Sequence, residues 1–301
     1  MYIIAILIAF YFCKKKAPLI GISQNSVENC IIITFLGAIL GARLYYVLLS
    51  LDFYSQNPFE FIAIWHGGLA IHGGLIGGTI CGYLYCKYKK ISVLKLGDLM
   101  LPFLLLGQSI GRLGNFANGE AHGVPTFIPW SIIFSIKNKF PDFWANILST
   151  FNIENTPLGL SKLYSLLKEG KGLDVIFEGK NYKLFEYIPW GISFPEKFNS
   201  AAYQQFGSLP VHPTFFYEMF LDLLGAIILL LLWKNNKNIG KGLIIGLYMI
   251  FYAVIRSFVT FFRADDLMIG FLRAPHLVSL IMIIIGFFMC LYYKKVSKRG
   301  V

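Results

Sequence analysis

Apolar residues along this chain come in long runs, not at every second position or every third to fourth. Seven runs stand out, at 1–13 and roughly 30–51, 68–88, 96–117, 213–233, 242–262 and 275–293. All but the first approach the roughly 20 residues with which a helix crosses a hydrocarbon core. In lipid such a run must be helical, because a helix satisfies its own backbone groups. The pattern predicts an all-α polytopic membrane protein with about seven transmembrane helices. The first run is short, and Lys14, Lys15 and Lys16 follow it, the reverse of a signal peptide's charge order. The expectation is a first helix that is truncated here or continues upstream of Met1.

The polar segments orient these runs. Lys14–Lys16 follow the first; Lys87, Lys89, Lys90 and Lys95 separate the third from the fourth. Lys234, Lys237 and Lys241 separate the fifth from the sixth, and Lys294, Lys295, Lys298 and Arg299 follow the last. With seven spans all four clusters fall on one side, which the positive-inside bias makes cytoplasmic. The N-terminus is then outside and the C-terminus inside. Three parts follow: residues 1–120 with helices 1–4, an external head at 121–211, and residues 212–301 with helices 5–7. The head is too rich in Phe, Trp, Leu and Ile to be disordered. It holds a weak repeat, FIPWSIIFS (Phe127 to Ser135) and YIPWGISFP (Tyr187 to Pro195). Two β-rich strings of this kind predict a small paired sheet, so the head is expected to be α/β.

Composition agrees with a bilayer as solvent. Hydrophobic residues make up 56% and charged residues only 14%, against about 25% charged in a soluble domain. The net charge of +11 gathers at the ends of the apolar runs, so no basic face for nucleic acid is expected. The five cysteines show no CxxC or Cys/His spacing and read as reduced, structural thiols. His66 and His72 are six apart and face different sides of a helix, so no metal site is expected.

Three stretches combine polar groups with apparent membrane depth. The first is WHGGLAIHGGLIGG, Trp65 to Gly78. Close helix packing explains its glycines, and His72 reads either as a packed core histidine or as a functional one. The second is GRLGNFANGE, Gly111 to Glu120. An arginine such as Arg112 costs about 2.5–3.5 kcal/mol at the centre of a span and needs a partner. An anionic phosphate suits its fork, with Asn115, Asn118 and Glu120 close in sequence; the alternative is a structural Arg–Glu pair. The third is YAVIRSFVTFFRADD, Tyr252 to Asp266, where Tyr252, Arg256 and Arg263 share one face. Arg256 is the deeper arginine and the better phosphate ligand, whereas Arg263 anchors at the interface by snorkelling. HPTFFYE, His212 to Glu218, opens the fifth span, its Tyr and Glu able to line the same cavity. Gly107 to Gly111 matches GxSxG but lies inside a span, where that pattern has no nucleophile elbow.

These blocks, with His122-Gly123 after the second, resemble prolipoprotein diacylglyceryl transferases in order and spacing along most of the chain, apart from about 135–186. The resemblance implies a seven-helix enzyme of the bacterial cytoplasmic (inner) membrane with an external head. It implies transfer of the diacylglyceryl group of phosphatidylglycerol to the lipobox cysteine thiol of prolipoprotein signal peptides. A thioether forms and glycerol phosphate leaves, with no cofactor. Arg112, Asn115, Asn118, Tyr252 and Arg256 then match the phosphatidylglycerol-binding set, and His72, Arg112, Arg256 and Glu120 the catalytic set. Fixed arginines would stabilise charge growing on the leaving phosphate. His72 or Glu120 would take the thiol proton, His72 being favoured by a pKa near working pH.

Three departures from the family pattern stand out. A Trp-Tyr-Gly-type stretch that usually precedes the first helix is not in the chain. Thr260 stands where a Glu is common four residues after the sixth-helix arginine, leaving Glu218 or Asp265 as counter-charge. The insertion at 135–186 serves either substrate recognition or structure alone. Rival readings are a membrane transporter, which predicts an internal repeat between helix groups, and an inactive phospholipid-binding scaffold. The catalytic reading also has its own opposite: both arginines tied merely to protein carboxylates, or stretched out to bulk water with no lipid-sized opening between them.

Overall fold

A computed structural model describes residues 2–169, 173–184, 190–264, 268–270 and 272–298. Its helices are α1 (Tyr2–Lys16), α2 (Gln24–Leu49), α3 (Leu51–Gln56), α4 (Ile71–Lys89), α5 (Val93–Asn118), α6 (Trp130–Ile133), α7 (Phe140–Thr150), α8 (Pro157–Lys168), α9 (Ala201–Phe206), α10 (Thr214–Trp233), α11 (Leu243–Phe262) and α12 (Ala274–Lys298). Between α8 and α9 lie strands β1 (Leu173–Phe177) and β2 (Lys180–Leu184); between α11 and α12 lie β3 (Met268–Ile269) and β4 (Leu272–Arg273). Five of the described helices are long and apolar enough to cross a membrane: α2, α5, α10, α11 and α12. Their large side chains point outward in numbers; on α12 alone Ile281, Ile284, Phe287 and Phe288 are exposed. Water would not tolerate apolar surface on that scale, and the chain is a multi-pass membrane protein. The count of seven differs at two helices. α1 has 15 residues, and α4, though 19 residues long, dilutes its apolar side chains with five glycines.

The chain divides into two compact units, one of residues 1–5, 104–229 and 246–289, the other of 6–103, 230–245 and 290–301. In the second unit, the glycines of α4 pack on α2. A Cβ at Gly41 would come 2.8 Å from Gly77 Cα, and one at Gly37 would meet Cys81 Sγ at 2.5 Å. Arg43 of α2 is buried and donates to backbone carbonyls of the segment before α4: Phe61 at 3.0 Å, Gly67 at 2.6 Å, Gly68 at 3.1 Å, and Glu60. Fully buried Asp98 of α5 accepts from the amides of Gly240, Lys241, Gly242 and Ile245 at 2.8–3.1 Å. One carboxylate thereby fixes the loop that enters α11.

The first unit contains the head. Its core joins Phe127, Ile132 and Ile133 to Phe143, Trp144 and Ile147 of α7, Leu160 and Leu163 of α8, and Val175 and Leu184 of the hairpin. The described part of 135–186, the stretch expected to be an insertion, holds α7, α8 and the antiparallel β1–β2 pair, in register from Leu173↔Leu184 to Phe177↔Lys180. Glu178 and Gly179, at φ +49° and +74°, make the two-residue turn that matches strand twist. The expected pairing of the two Pro-Trp strings is corrected at the first string. Trp130–Ile133 is a helical turn started by Pro129 at φ −61°. Trp130 and Ser131 are both exposed while Ile132 and Ile133 are both buried, a pairwise pattern that a strand's alternation cannot produce. Of the second string, Tyr187 to Pro189 lie outside the described residues. Ile192 forms an isolated antiparallel bridge with Val211, as does Pro125. Among the described residues of 121–211, the paired strands are therefore β1 and β2.

Candidate active site

Helical spacing turns three stretches of sequence into three polar stripes. On α5, Gln108, Arg112 and Asn115 recur at four and three residues; on α10, Glu218 and Asp222 at four; on α11, Tyr248, Tyr252 and Arg256 at four. Each set occupies one helix face. Small and polar contacts draw α5 and α10 together. Ser109 Oγ donates to Met219 O at 2.8 Å, and a Cβ on Gly225 would reach Leu105 Cδ2 at 3.0 Å. Ser109 of the GxSxG look-alike is thus a buried fastener within α5.

The stripes meet at Glu218. Its Oε1 pairs with Arg112 Nη2, and its Oε2 lies 3.6 Å from Arg256 Nη1. Both arginine side chains keep 19% exposure while Glu218 keeps 1%. Arg112 Nη1 also donates to Asn115 Oδ1 at 3.4 Å. Tyr252 lies in the field of Arg256, Glu218 and Arg112, and its ring stacks on Tyr248 with centroids 6.1 Å apart. Tyr248 Oη donates to Gln108 Oε1 at 3.4 Å. Asp222, fully buried, faces Glu218 and both arginines, and neither of its oxygens has a hydrogen-bond partner among the described residues. Among the described residues both guanidiniums thus pair with a protein carboxylate, as the opposite of the catalytic reading expects, while the 19% exposure that each keeps departs from it.

Four expected site residues, Arg112, Asn115, Tyr252 and Arg256, are brought together. The counter-charge left open between Glu218 and Asp265 is held by Glu218; Asp265 lies outside the described residues. Thr260 is buried, and its hydroxyl donates to Arg256 O at 2.7 Å, so it engages backbone and supplies no charge. Asn118 ends α5 and Glu120 follows it, both exposed, with the Glu120 amide donating to Asn115 O at 2.9 Å. His72 belongs to the other unit, exposed on α4, its ring 6.2 Å from that of Tyr45. Asp222, Tyr248 and Gln108 went unremarked in the sequence, although Asp222 carries the same signal as Arg112, a charge inside an apolar run.

Gly123 and HPTFFYE lock the head onto this site. The Gly123 amide donates to His212 O at 2.9 Å, and a Cβ on Gly123 would lie 2.6 Å from His212 Cβ. Thr214 Oγ1 donates to Ala121 O. Tyr217 Oη accepts from Trp190 Nε1 at 2.9 Å and lies 3.2 Å from His212 Nδ1. His212 Nε2 is buried without a partner among the described residues, and burial pushes the His212 pKa down to about 4. These contacts place the start of α10, and with it Glu218.

Comparison with known proteins bears on the family of the chain. The family model described as prolipoprotein diacylglyceryl transferase matches residues 1–292. The chain is similar to a phosphatidylglycerol–prolipoprotein diacylglyceryl transferase of Fusobacterium nucleatum, 38% identical over 99% of this chain and 93% of the relative. It is also similar to proteins of the same name from Finegoldia magna, 32% identical over 97% and 88% of the two chains, and from Clostridioides difficile, 32% identical over 95% and 86%. The transporter reading finds no support among these relatives. A match across nearly the whole chain, from a family model and from relatives this similar, makes the chain a member of the prolipoprotein diacylglyceryl transferase family.

Proposed function

We propose that this protein transfers the diacylglyceryl group of phosphatidylglycerol to the lipobox cysteine thiol of prolipoprotein signal peptides, the first step of lipoprotein maturation. One observation carries the site assignment: Arg112 and Arg256, from separate helices, converge on the single carboxylate of Glu218 and remain partly exposed. In the reaction the thiolate sulfur forms a bond to the glyceryl carbon that bears phosphate. The bond from that carbon to oxygen breaks, its electron pair stays on the phosphate, and glycerol phosphate leaves. Arg112 and Arg256 hold the phosphodiester and stabilise the charge that grows on it. Asn115 and Tyr252 orient the head group, and Asn118 lies at the exposed end of the same helix. A free thiol has a pKa near 8.5, and only the thiolate is reactive, so a base assists. His72 is favoured for that task and Glu120 is the alternative.

The topology proposed with this activity has seven spans in the bacterial inner membrane, with α1 and α4 completing the five apolar helices. The N-terminus and head are then outside and the lysine clusters cytoplasmic. The test is purified protein in detergent with phosphatidylglycerol and a lipobox peptide. The peptide gains the mass of one diacylglyceryl group on its cysteine, and glycerol phosphate appears in equal amount. A peptide that stays unmodified with wild-type protein would refute the activity.

A further inference from the structure

We propose that the head of this protein rests on the bilayer through a face made by Trp130, Phe134, Ile136 and Lys137, seated among phospholipid head groups where α11 leaves the membrane. The first observation is an inverted surface. α6 buries Ile132 and Ile133 in the core of the head, yet its other side presents Trp130 at 50% exposure, with Phe134 and Ile136 exposed just beyond. The rings of Trp130 and Phe134 stack with centroids 5.6 Å apart. A helical turn that faced water would carry polar side chains there, and apolar side chains clustered on a surface mark a contact.

What covers this face follows from its neighbours. Val254 and Phe258 stand four apart on the apolar helix α11 and are both exposed, so they face acyl chains. The ring of Phe258 lies 5.4 Å from that of Phe262, and Phe262 lies 5.3 Å from Phe134 and 6.1 Å from Trp130. A series of ring contacts thus runs from the lipid-facing side of α11 onto the head. It ends where the bilayer turns polar, the level that suits an indole with its apolar ring and its N–H donor. Exposed Lys137 stands beside it, its stem long enough to reach a lipid phosphate. Trp190, exposed as well, donates to Tyr217 Oη in the first turn of α10, and the Tyr217 ring lies 5.6 Å from Phe262. The occupant is therefore lipid, which fixes the outer end of the helix that carries Arg256. None of this depends on the transfer reaction.

The experiment uses the full-length protein in phosphatidylglycerol nanodiscs, which leave both bilayer faces open to solutes. The discs are made either with ordinary lipid or with lipid brominated high in its acyl chains. Subtracting the fluorescence of Trp130→Phe from that of the wild type isolates Trp130. That difference emission is expected to lose most of its intensity in brominated discs and little of it to aqueous iodide. Quenching by iodide as strong as by bromine, or stronger, would put Trp130 in water and overturn the proposal. Insensitivity to both quenchers would overturn it too, because a second copy or another protein then covers the face. Should Trp130→Phe not fold, Ile136→Trp repeats the test, and its added emission must show the same order of quenching.

Discussion

Arg43, Asp98, Arg112, Glu218 and Arg256 all stand in or beside apolar runs and each has a partner, whereas the oxygens of Asp222 have no hydrogen-bond partner among the described residues. The partners fall into two kinds. Arg43 takes backbone carbonyls and Asp98 takes backbone amides, so these two need no opposite charge and serve the fold. Arg112 and Arg256 take a shared side-chain carboxylate. A charge in an apolar run calls for a partner but does not show which kind, and that is why Arg112 and Arg256 were legible as site residues while Arg43 and Asp98 drew no comment. His212 makes a prediction at this scale. Its folded pKa, near 4, lies below the roughly 6.5 of an unfolded histidine. Neutral His212 therefore stabilises the fold above about pH 6.5, and this contribution is lost as pH falls toward 4, by about 3 kcal/mol in all. Thermal unfolding in detergent should show a wild-type Tm that drops between pH 7 and pH 5 more than that of His212→Gln. Equal drops would remove His212 as the cause.

Helix packing was half legible. The glycine block of α4 announced a close approach, and α2 meets it with Gly37 and Gly41. The backbone at this contact cannot yield, so Gly41→Val should destabilise the protein by several kcal/mol, read as a lower Tm and faster proteolysis. Gly114, on the signature helix α5, is the contrasting case, because a Cβ there meets nothing within 4 Å. Gly114→Ala should stabilise the helix by about 0.5–1 kcal/mol. Stabilisation together with lost transfer activity would mark that open space as room for substrate. Asp98→Ala strips four amides of their acceptor and should cost about 3 kcal/mol or more. The strand expected over Phe127 to Ser135 failed for a local reason. Its residues are β-prone, but Pro129 starts a helical turn and the burial runs in pairs.

Across the whole molecule, the long apolar helices and the lysine clusters were plain from hydrophobic runs alone. Less visible were the short α1 and the glycine-rich α4, whose composition suits packing against another helix as much as lipid. The fold of the α7, α8 and β1–β2 stretch, packed on one core with Phe127 and Phe206, depends on contacts distant in sequence that no local pattern displays. The proposed topology makes Lys180, at the hairpin, external and Lys237 cytoplasmic. A cysteine placed at Lys180 should react with a membrane-impermeant maleimide in intact cells, and one at Lys237 only after lysis; the reverse pattern would invert the topology. The central claim is that Arg112 and Arg256 act on one phosphate. It is tested most directly by a double-mutant cycle on kcat/KM for transfer from phosphatidylglycerol, using Arg112→Gln, Arg256→Gln and the pair. Each single variant should lose about a hundredfold or more, and the double variant should be little worse than either, because two residues that act as a unit are non-additive. Wild-type kcat/KM in either folded single variant would contradict the account.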